Sequence, residues 1–228
     1  MSRPSLLSRL STPLVAGLAC AVASLVLFSV LANEMREGEL LHFDTTIRIF
    51  VHAHSSPWLT QLMRFFSLVG SPFVVTIGAT LTSLALWTAG HRRRALLIAV
   101  TTLGGALLMV VLKLGFHRQR PQPFFDTQLP ASYSFPSGHA LLSFCLCGAA
   151  AALFAANQKS IWIRVAIWVA AGGLSGAIGY SRIYLGVHYP SDVVAGYLAA
   201  LAWVLGVALA YQRWRKPAEP ETTSQDVR

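Results

Sequence analysis

Six long apolar segments constrain the fold of this sequence more than any other feature. A helix needs about 20 mostly apolar residues to cross the hydrocarbon core of a bilayer. The six segments are rich in Leu, Ala, Val and Gly, and the second has an alternative start at Trp58. They run from about Pro13 to Ala32, Leu68 to Ala89, Ala95 to Leu112, His139 to Ala156, Ile161 to Gly179 and Asp192 to Tyr211. We predict an all-α, polytopic membrane protein with six transmembrane helices in one bundle.

The scarcity of charge supports this prediction. Charged residues make up 12% of the 228 residues and hydrophobic residues 54%, whereas a soluble domain carries about 25% charged residues. This composition excludes a water-soluble globule and a disordered chain. It also argues against a soluble nucleic-acid binder despite the net charge of +9, because the apolar excess would have no place to be buried. We expect one domain over residues 1–216 and a disordered cytoplasmic tail over residues 217–228.

The distribution of Lys and Arg between the loops predicts the orientation. The side that holds both termini carries 11 of the 18 basic residues, and the other side carries six of the nine acidic residues. The run Arg92-Arg93-Arg94 is the clearest cytoplasmic marker. We therefore predict a protein of the cytoplasmic (inner) membrane with both termini in the cytoplasm. A signal peptide cleaved after Ala32 is the alternative for the first segment, but its apolar core exceeds the usual length of about 7–15 residues.

The first outer stretch, residues 34–64, mixes charged and apolar residues and predicts a short interfacial helix. Its three histidines, His42, His52 and His54, are interpreted as solvated or headgroup-level residues rather than ligands.

Three polar clusters flank the predicted outer ends of spans three to six. Residues 113–121 follow the third span, residues 134–139 precede the fourth, and residues 181–192 join the fifth to the sixth. The predicted topology places all three clusters on one side of the membrane. Ionisable residues at membrane depth are costly and usually functional, so we expect the clusters to form one site.

The clusters have two properties that predict binding of a phosphate-like anion: several neighbouring cations and a helix start. Lys113, Arg120 and Arg182 would repel one another without an anion, and guanidinium groups bind phosphate in a bidentate manner. Ser137 and Gly138 begin the fourth span, where free backbone N–H groups attract anions. A glycine also allows an oxyanion to approach the backbone closely.

The remaining side chains predict nucleophilic catalysis. His188 precedes Asp192 by four residues, with a proline between them that suits the first turn of a helix. A carboxylate beside an imidazole fixes its tautomer and raises its basicity. His188 could then attack phosphorus while His139 protonates the leaving oxygen and later activates water.

Together the clusters resemble the three signature motifs of the type 2 phosphatidic acid phosphatase (PAP2) superfamily, which also contains the vanadium haloperoxidases. The family pattern is Lys, six residues and Arg-Pro; then Pro-Ser-Gly-His; then Ser-Arg, five residues, His, three residues and Asp. All eleven fixed positions are present: Lys113, Arg120, Pro121, Pro136, Ser137, Gly138, His139, Ser181, Arg182, His188 and Asp192.

The resemblance implies a role for each site residue. The phosphate would be held by Lys113, Arg120, Ser137, Gly138 and Arg182. His188 would be the nucleophile, Asp192 its support and His139 the acid and base, with no metal or other cofactor. Gln122 departs from the pattern, because many relatives have a basic residue there. His117 and Arg118 are additional basic residues that are either interfacial cations or substrate contacts.

These observations predict an integral membrane lipid phosphatase with its site on the periplasmic or extracellular side. Its partners would be the bilayer and a lipid phosphate substrate, such as undecaprenyl pyrophosphate, phosphatidylglycerol phosphate or phosphatidic acid. Two alternatives stay open: a lipid phosphotransferase with the same site, and a non-enzymatic anion-binding or transport protein. The sequence does not decide the lipid or the oligomeric state.

Overall fold

The structure, a computed structural model, describes residues 12–125 and 129–215. Within these ranges the chain forms eight helices joined by turns and contains no β-strand. The helices are α1 (Thr12–Glu37), α2 (Leu40–Ala53), α3 (Pro57–Val69), α4 (Pro72–Thr88), α5 (Arg92–Phe116), α6 (Gly138–Ala156), α7 (Ile161–Tyr184) and α8 (Pro190–Arg215). The predicted tail, residues 217–228, lies outside the described residues.

Five of these helices are long and apolar enough to cross a membrane: α1, α5, α6, α7 and α8. A sixth span results if α3 and α4, which meet at an angle of 46°, are counted together. The prediction of an all-α, multi-pass membrane protein is therefore confirmed. Helix α6 is the most enclosed of the spans and packs against α4, α5, α7 and α8, whereas α1 packs mainly along α8.

Of the two starts predicted for the second span, the one at Trp58 matches α3 and α4 counted together as one bent span. The start at Leu68 matches no helix start, because the helix is interrupted between α3 and α4. Pro72 has no N–H to continue a helix and disfavours helical backbone at the preceding residue. Ser71 accordingly adopts an extended conformation, and its Oγ accepts a hydrogen bond from the Val74 N–H at 3.3 Å. Gly70 packs so closely on α7 that a Cβ there would lie 2.1 Å from Cγ2 of Ile178.

The stretch predicted to contain a short interfacial helix does contain a helix, α2. One face buries Asp44, Arg48 and Val51, while large apolar side chains such as Phe43 and Phe50 are exposed. Of the three histidines interpreted as solvated or headgroup-level residues, His42 and His54 are exposed and His52 is half-buried. The ring of His52 stacks on Phe124, with ring centroids 4.0 Å apart.

Candidate active site

The antiparallel packing of the spans brings the three motif clusters to one end of the bundle. Helices α5 and α7 end there, and helices α6 and α8 begin there. The spans extend further than predicted, so that Lys113 lies in the last turn of α5 and Arg182 in the last turn of α7. His139 is the second residue of α6, and Asp192 lies in the first turn of α8.

Close contacts between backbones fix the positions of these helix ends. The Ser137 N–H donates to the Asp192 carbonyl at 2.9 Å, which joins the start of α6 to the start of α8. One turn further along α8, a Cβ at Gly196 would lie 2.7 Å from the Ser137 carbonyl oxygen. In the loop before α8, Gly186 has a φ of +74° and lies against Phe124, so that only glycine fits without strain.

His188 and Asp192 form a buried pair. The Nδ1 of His188 lies 3.2 Å from Oδ2 of Asp192, and both residues are at most 1% exposed. The same carboxylate oxygen accepts hydrogen bonds from the Ser134 hydroxyl and, at 2.9 Å, from the Tyr189 N–H. These contacts favour the tautomer with its proton on Nδ1.

The opposite nitrogen of His188 faces the predicted phosphate site. Nη1 of Arg120 lies 3.0 Å from Nε2 of His188 and can donate to its lone pair. Burial lowers the pKa of His188 to about 3, against the opposing effect of Asp192 and with further lowering by the charges of Arg120 and Arg182. The imidazole is therefore neutral near neutral pH, as a nitrogen nucleophile must be.

Two of the predicted phosphate ligands, Arg120 and Lys113, line the same cavity as His188. Arg120 also donates to the Ser132 carbonyl at 2.7 Å and to the Val187 carbonyl at 3.0 Å. Burial lowers the pKa of Arg120. Lys113 Nζ donates to the Tyr133 carbonyl. The partners of both groups are thus neutral carbonyl groups rather than carboxylates, which leaves both side chains available to an anion.

Two buried polar atoms of the site have no hydrogen-bond partner among the described residues. They are Oγ of Ser137 and Nε of Arg182. The other end of the Arg182 guanidinium donates to the Ser67 hydroxyl, which fixes the orientation of the side chain. An unpaired buried polar atom is costly, so these two atoms are suited to bind an anion.

Two cavities meet at His139. One has a volume of about 420 Å³ and is lined by Lys113, Arg120, His139 and His188 together with apolar residues of α4 and α5. The other, of about 500 Å³, lies beside α3 and α7 and is lined by His139 and Arg182. His139 therefore borders both spaces, although no hydrogen bond joins it to His188 in the structure.

The structure gives Arg118 a different place from the two that were predicted for it, an interfacial cation and a substrate contact. Its Nη1 lies 2.7 Å from Oδ1 of Asp192, and its Nη2 lies 2.7 Å from Oδ2 of Asp44. Burial opposes protonation, but the charges and hydrogen bonds of these two carboxylates raise the pKa of Arg118. Asp44 was missed in the sequence, although the spacing of Asp44, Arg48 and Val51 places them on one helix face.

The two other residues singled out near the motifs, His117 and Gln122, make contacts within the protein. His117 ends α5 in a left-handed conformation, with a φ of 53°, and its ring contacts Tyr133. The backbone carbonyl of Gln122 accepts a hydrogen bond from Arg48 at 2.6 Å. Across residues 12–125 and 129–215, no group of three His, Cys, Asp or Glu residues could hold a metal ion.

Comparison with known proteins assigns the fold to a family. The model of the PAP2 superfamily matches residues 94–216, which is more than half of the chain. A phosphatidylglycerophosphatase B from Bacillus subtilis is 28% identical over 191 residues, which cover 79% of this chain and 89% of that protein. An undecaprenyl-diphosphatase from Sulfolobus acidocaldarius is 29% identical over 167 residues, which cover 71% and 75%.

A solved structure shares the architecture. The crystal structure of a transmembrane PAP2-type phosphatidylglycerolphosphate phosphatase from Bacillus subtilis aligns with a TM-score of 0.75 and 24% identity. The alignment covers 87% of this chain and 98% of that protein. The chain therefore belongs to the PAP2 superfamily and is a multi-pass membrane hydrolase that acts on phosphate esters.

Proposed function

We propose that this protein hydrolyses a lipid phosphate or pyrophosphate through a phosphohistidine intermediate on His188. The arrangement of the His188 ring carries this proposal. Nδ1 is directed at the Asp192 carboxylate, and Nε2 is directed at Arg120, within a set of cations suited to phosphate. A phosphate that draws Arg120 to its own oxygens would free the lone pair of Nε2 for attack on phosphorus.

The first step transfers the phosphoryl group to the protein. Nε2 of His188 forms a bond to phosphorus, the bond from phosphorus to the leaving oxygen breaks, and His139 gives that oxygen a proton. Asp192 stabilises the positive charge that develops on the ring. Lys113, Arg120 and Arg182 stabilise the negative charge of the phosphoryl oxygens.

The second step releases phosphate. Water attacks phosphorus while His139 accepts a proton from it, and the bond between phosphorus and Nε2 breaks. His188 returns to its neutral form and His139 to its protonated form, so the cycle closes without a metal or another cofactor.

The walls of the 420 Å³ cavity support a lipid substrate that enters from the side. Pro72, Met109, Val110 and Leu114 line the cavity between α4 and α5. Val110 and Leu114 are exposed on the outer surface of the bundle, which would face lipid in a membrane. An acyl or prenyl chain could therefore remain in the bilayer while its phosphate reaches His188.

The placement of charge supports a site at the outer face of the cytoplasmic membrane. Arg92, Arg93 and Arg94 begin α5 at the end opposite the site, and clustered arginines favour the cytoplasmic side. The proposal thus has both termini in the cytoplasm, one phosphatase domain over residues 1–216 and a cytoplasmic tail over residues 217–228. A reporter enzyme fused after Arg228 should be active in the cytoplasm, and periplasmic activity would overturn this orientation.

The substrate class is tested by phosphate release from purified protein in detergent, with excess EDTA present. Undecaprenyl pyrophosphate, phosphatidylglycerol phosphate and phosphatidic acid should be compared, because the relatives carry names from the first two groups. We expect release from at least one lipid and none above background from His188→Ala. Failure of all three lipids, or loss of activity in EDTA, would contradict the proposal.

Trapping the intermediate tests the chemistry directly. Wild-type protein quenched during turnover of a radiolabelled diphosphate lipid should carry acid-labile, base-stable phosphate, and His188→Ala should carry none. His139→Ala should accumulate more label than wild type, because a phosphate leaving group needs little protonation whereas the attacking water needs a base. Equal labelling of His188→Ala and wild type would exclude His188 as the nucleophile.

A further inference from the structure

Helix α2 is connected to the site by two buried charged side chains on one face. Asp44 is 0% exposed and Arg48 is 8% exposed, whereas most of the other side chains of α2 are more accessible. None of the three signature motifs includes either residue. Buried charges are costly unless they are paired, so their partners indicate what the helix contributes.

Asp44 binds the segment that carries Asp192. Its Oδ1 accepts a hydrogen bond from the Ser191 N–H at 2.9 Å, and its Oδ2 accepts from the Ser191 hydroxyl at 2.5 Å. Nη2 of Arg118 donates to Oδ2 of Asp44 at 2.7 Å. The carboxylate therefore holds both a guanidinium group and the first turn of α8.

Arg118 extends this contact to the catalytic pair. Its Nη1 donates to Oδ1 of Asp192 at 2.7 Å and to the Ser191 hydroxyl at 2.8 Å. Because Arg118 occupies Oδ1, the carboxylate of Asp192 is held with Oδ2 directed at Nδ1 of His188. A rigid, planar guanidinium can fix two carboxylates at once, which a lysine ammonium group cannot do with the same geometry.

The balance of charge among Asp44, Arg118 and Asp192 depends on all three residues. Asp44 and Asp192 are both wholly buried, and one guanidinium lies between them. Without Arg118 the two carboxylates would repel each other. Without Asp44, Arg118 would lose its anchor on α2 and could follow Asp192 into other arrangements.

Arg48 binds the backbone of the two loops that precede α6 and α8. Its Nη2 donates to the Gln122 carbonyl in the loop before α6 and, at 3.0 Å, to the Gly186 carbonyl in the loop before α8. The guanidinium groups of Arg118 and Arg48 lie 4.0 and 5.4 Å from the ring centroid of Tyr189, the residue next to His188. Helix α2 thus contacts both loops that carry site residues.

We propose that Asp44 is a positioning residue that acts through Arg118 to orient Asp192 and hence His188. This proposal rests on the function proposed above. It differs from a role in substrate binding, because neither Asp44 nor Arg118 lines the 420 Å³ cavity.

The first test is the steady-state kinetics of Asp44→Asn. We expect kcat to fall about tenfold through misplacement of the nucleophile, with KM within about twofold because the phosphate-binding cations are retained. Glu39→Gln is the matched control, since it makes the same chemical change at the exposed start of α2. It should have wild-type kinetics. An Asp44→Asn variant as active as this control, or one that changes KM alone, would overturn the proposal.

A double-mutant cycle tests whether Asp44 acts through Arg118. Asp44→Asn, Arg118→Gln and the double variant should be compared for kcat. If the residues work as one unit, the double variant loses no more activity than Arg118→Gln alone, because the effects of coupled residues are not additive. Losses that multiply would show that Asp44 acts independently of Arg118 and would overturn the proposal.

Arg118→Lys keeps the proposal testable if Asp44→Asn does not fold. This variant retains the cation but cannot bridge both carboxylates, so kcat should fall while thermal stability and inhibition by vanadate, a phosphate mimic, stay near wild type. Unchanged kcat would overturn the proposal. The proposed function fails differently, because in that case the wild-type protein itself would release no phosphate.

Discussion

The motif cations at one end of the helical bundle and the arginines at the start of α5 at the other end lie in opposite environments. At the site end, Lys113 and Arg182 are at most 7% exposed and donate to carbonyl or hydroxyl groups. At the other end, Arg92 and Arg94 are exposed at the start of α5, and Arg92 lies over the ring of Trp87. All the carboxylates of the described residues lie towards the site end: Glu34, Glu37, Glu39, Asp44 and Asp192.

This difference in burial corresponds to two possible functions of basic residues, anion binding and membrane orientation. An exposed arginine needs no partner, because water solvates it, and it orients the chain in the membrane. A buried cation needs partners or an anion. A basic residue that is buried and bonded to neutral groups is therefore typical of the site. An exposed basic residue is typical of the loops that set membrane orientation, and the count of basic residues does not separate the two.

The largest effect should come from His188, the proposed nucleophile. Replacing His188 with Ala should lower kcat by at least about 10⁴-fold, because no other group can form the covalent intermediate. His54→Ala is the control, since this exposed histidine at the end of α2 lies near the same end of the bundle. Comparable losses of kcat in the two variants would contradict the expectation that the buried histidine, and not the exposed one, is needed for turnover.

A smaller loss should follow Asp192→Asn. The amide keeps the shape of the side chain but removes the negative charge that supports the His188 ring, so kcat should fall about 10- to 100-fold. Phosphate-release rates measured beside His188→Ala would check the order. A greater loss for Asp192→Asn would mean that the carboxylate does more than orient and stabilise the imidazole.

The buried imidazole should also make the fold sensitive to acid. The pKa of His188 is about 3 in the folded protein and 6.5 in an unperturbed histidine. Between these values the unfolded chain binds a proton that the folded protein excludes. Stability from His188 is therefore complete above about pH 6.5 and declines as the pH falls towards about 3.

Thermal unfolding in detergent at about pH 7 and about pH 4.5 tests this expectation. The decrease in Tm between the two pH values should be smaller for His188→Gln than for wild type, by roughly 5 °C. Identical decreases would indicate that the ring is solvated in the folded protein.

The smallest effect should come from the opposite end. The double variant Arg92→Gln/Arg94→Gln should retain kcat and KM within about twofold, since exposed charges far from the site contribute little to it. Phosphate release by the correctly inserted, purified variant measures this. A large loss would show that the two ends are coupled and that the comparison between them is incomplete.

The sequence predicted those features that are encoded locally. Runs of apolar residues gave the spans, and each signature motif lies at a single span end, so the antiparallel topology alone brought Lys113, His139, Arg182 and His188 to one end. The break between α3 and α4 had a signal in Ser71-Pro72, but the apolar pattern continues across it.

The network around Asp44 could not be predicted in the same way. Asp44 and Arg118 are 74 positions apart, and their contact depends on how α2 packs against two loops. A single aspartate on an amphipathic helix is indistinguishable in sequence from a solvated one. Buried ion pairs between distant segments become visible only when the packing is known.

If His188 is the nucleophile, as proposed, its contact with Arg120 would protect it while no substrate is bound. With Nη1 of Arg120 on its Nε2 lone pair, the imidazole is capped at the atom that would react with any stray electrophile. An incoming phosphate offers the guanidinium a better, charged acceptor and so frees the lone pair. Under the proposed mechanism, binding of phosphate and exposure of the reactive nitrogen would be a single event.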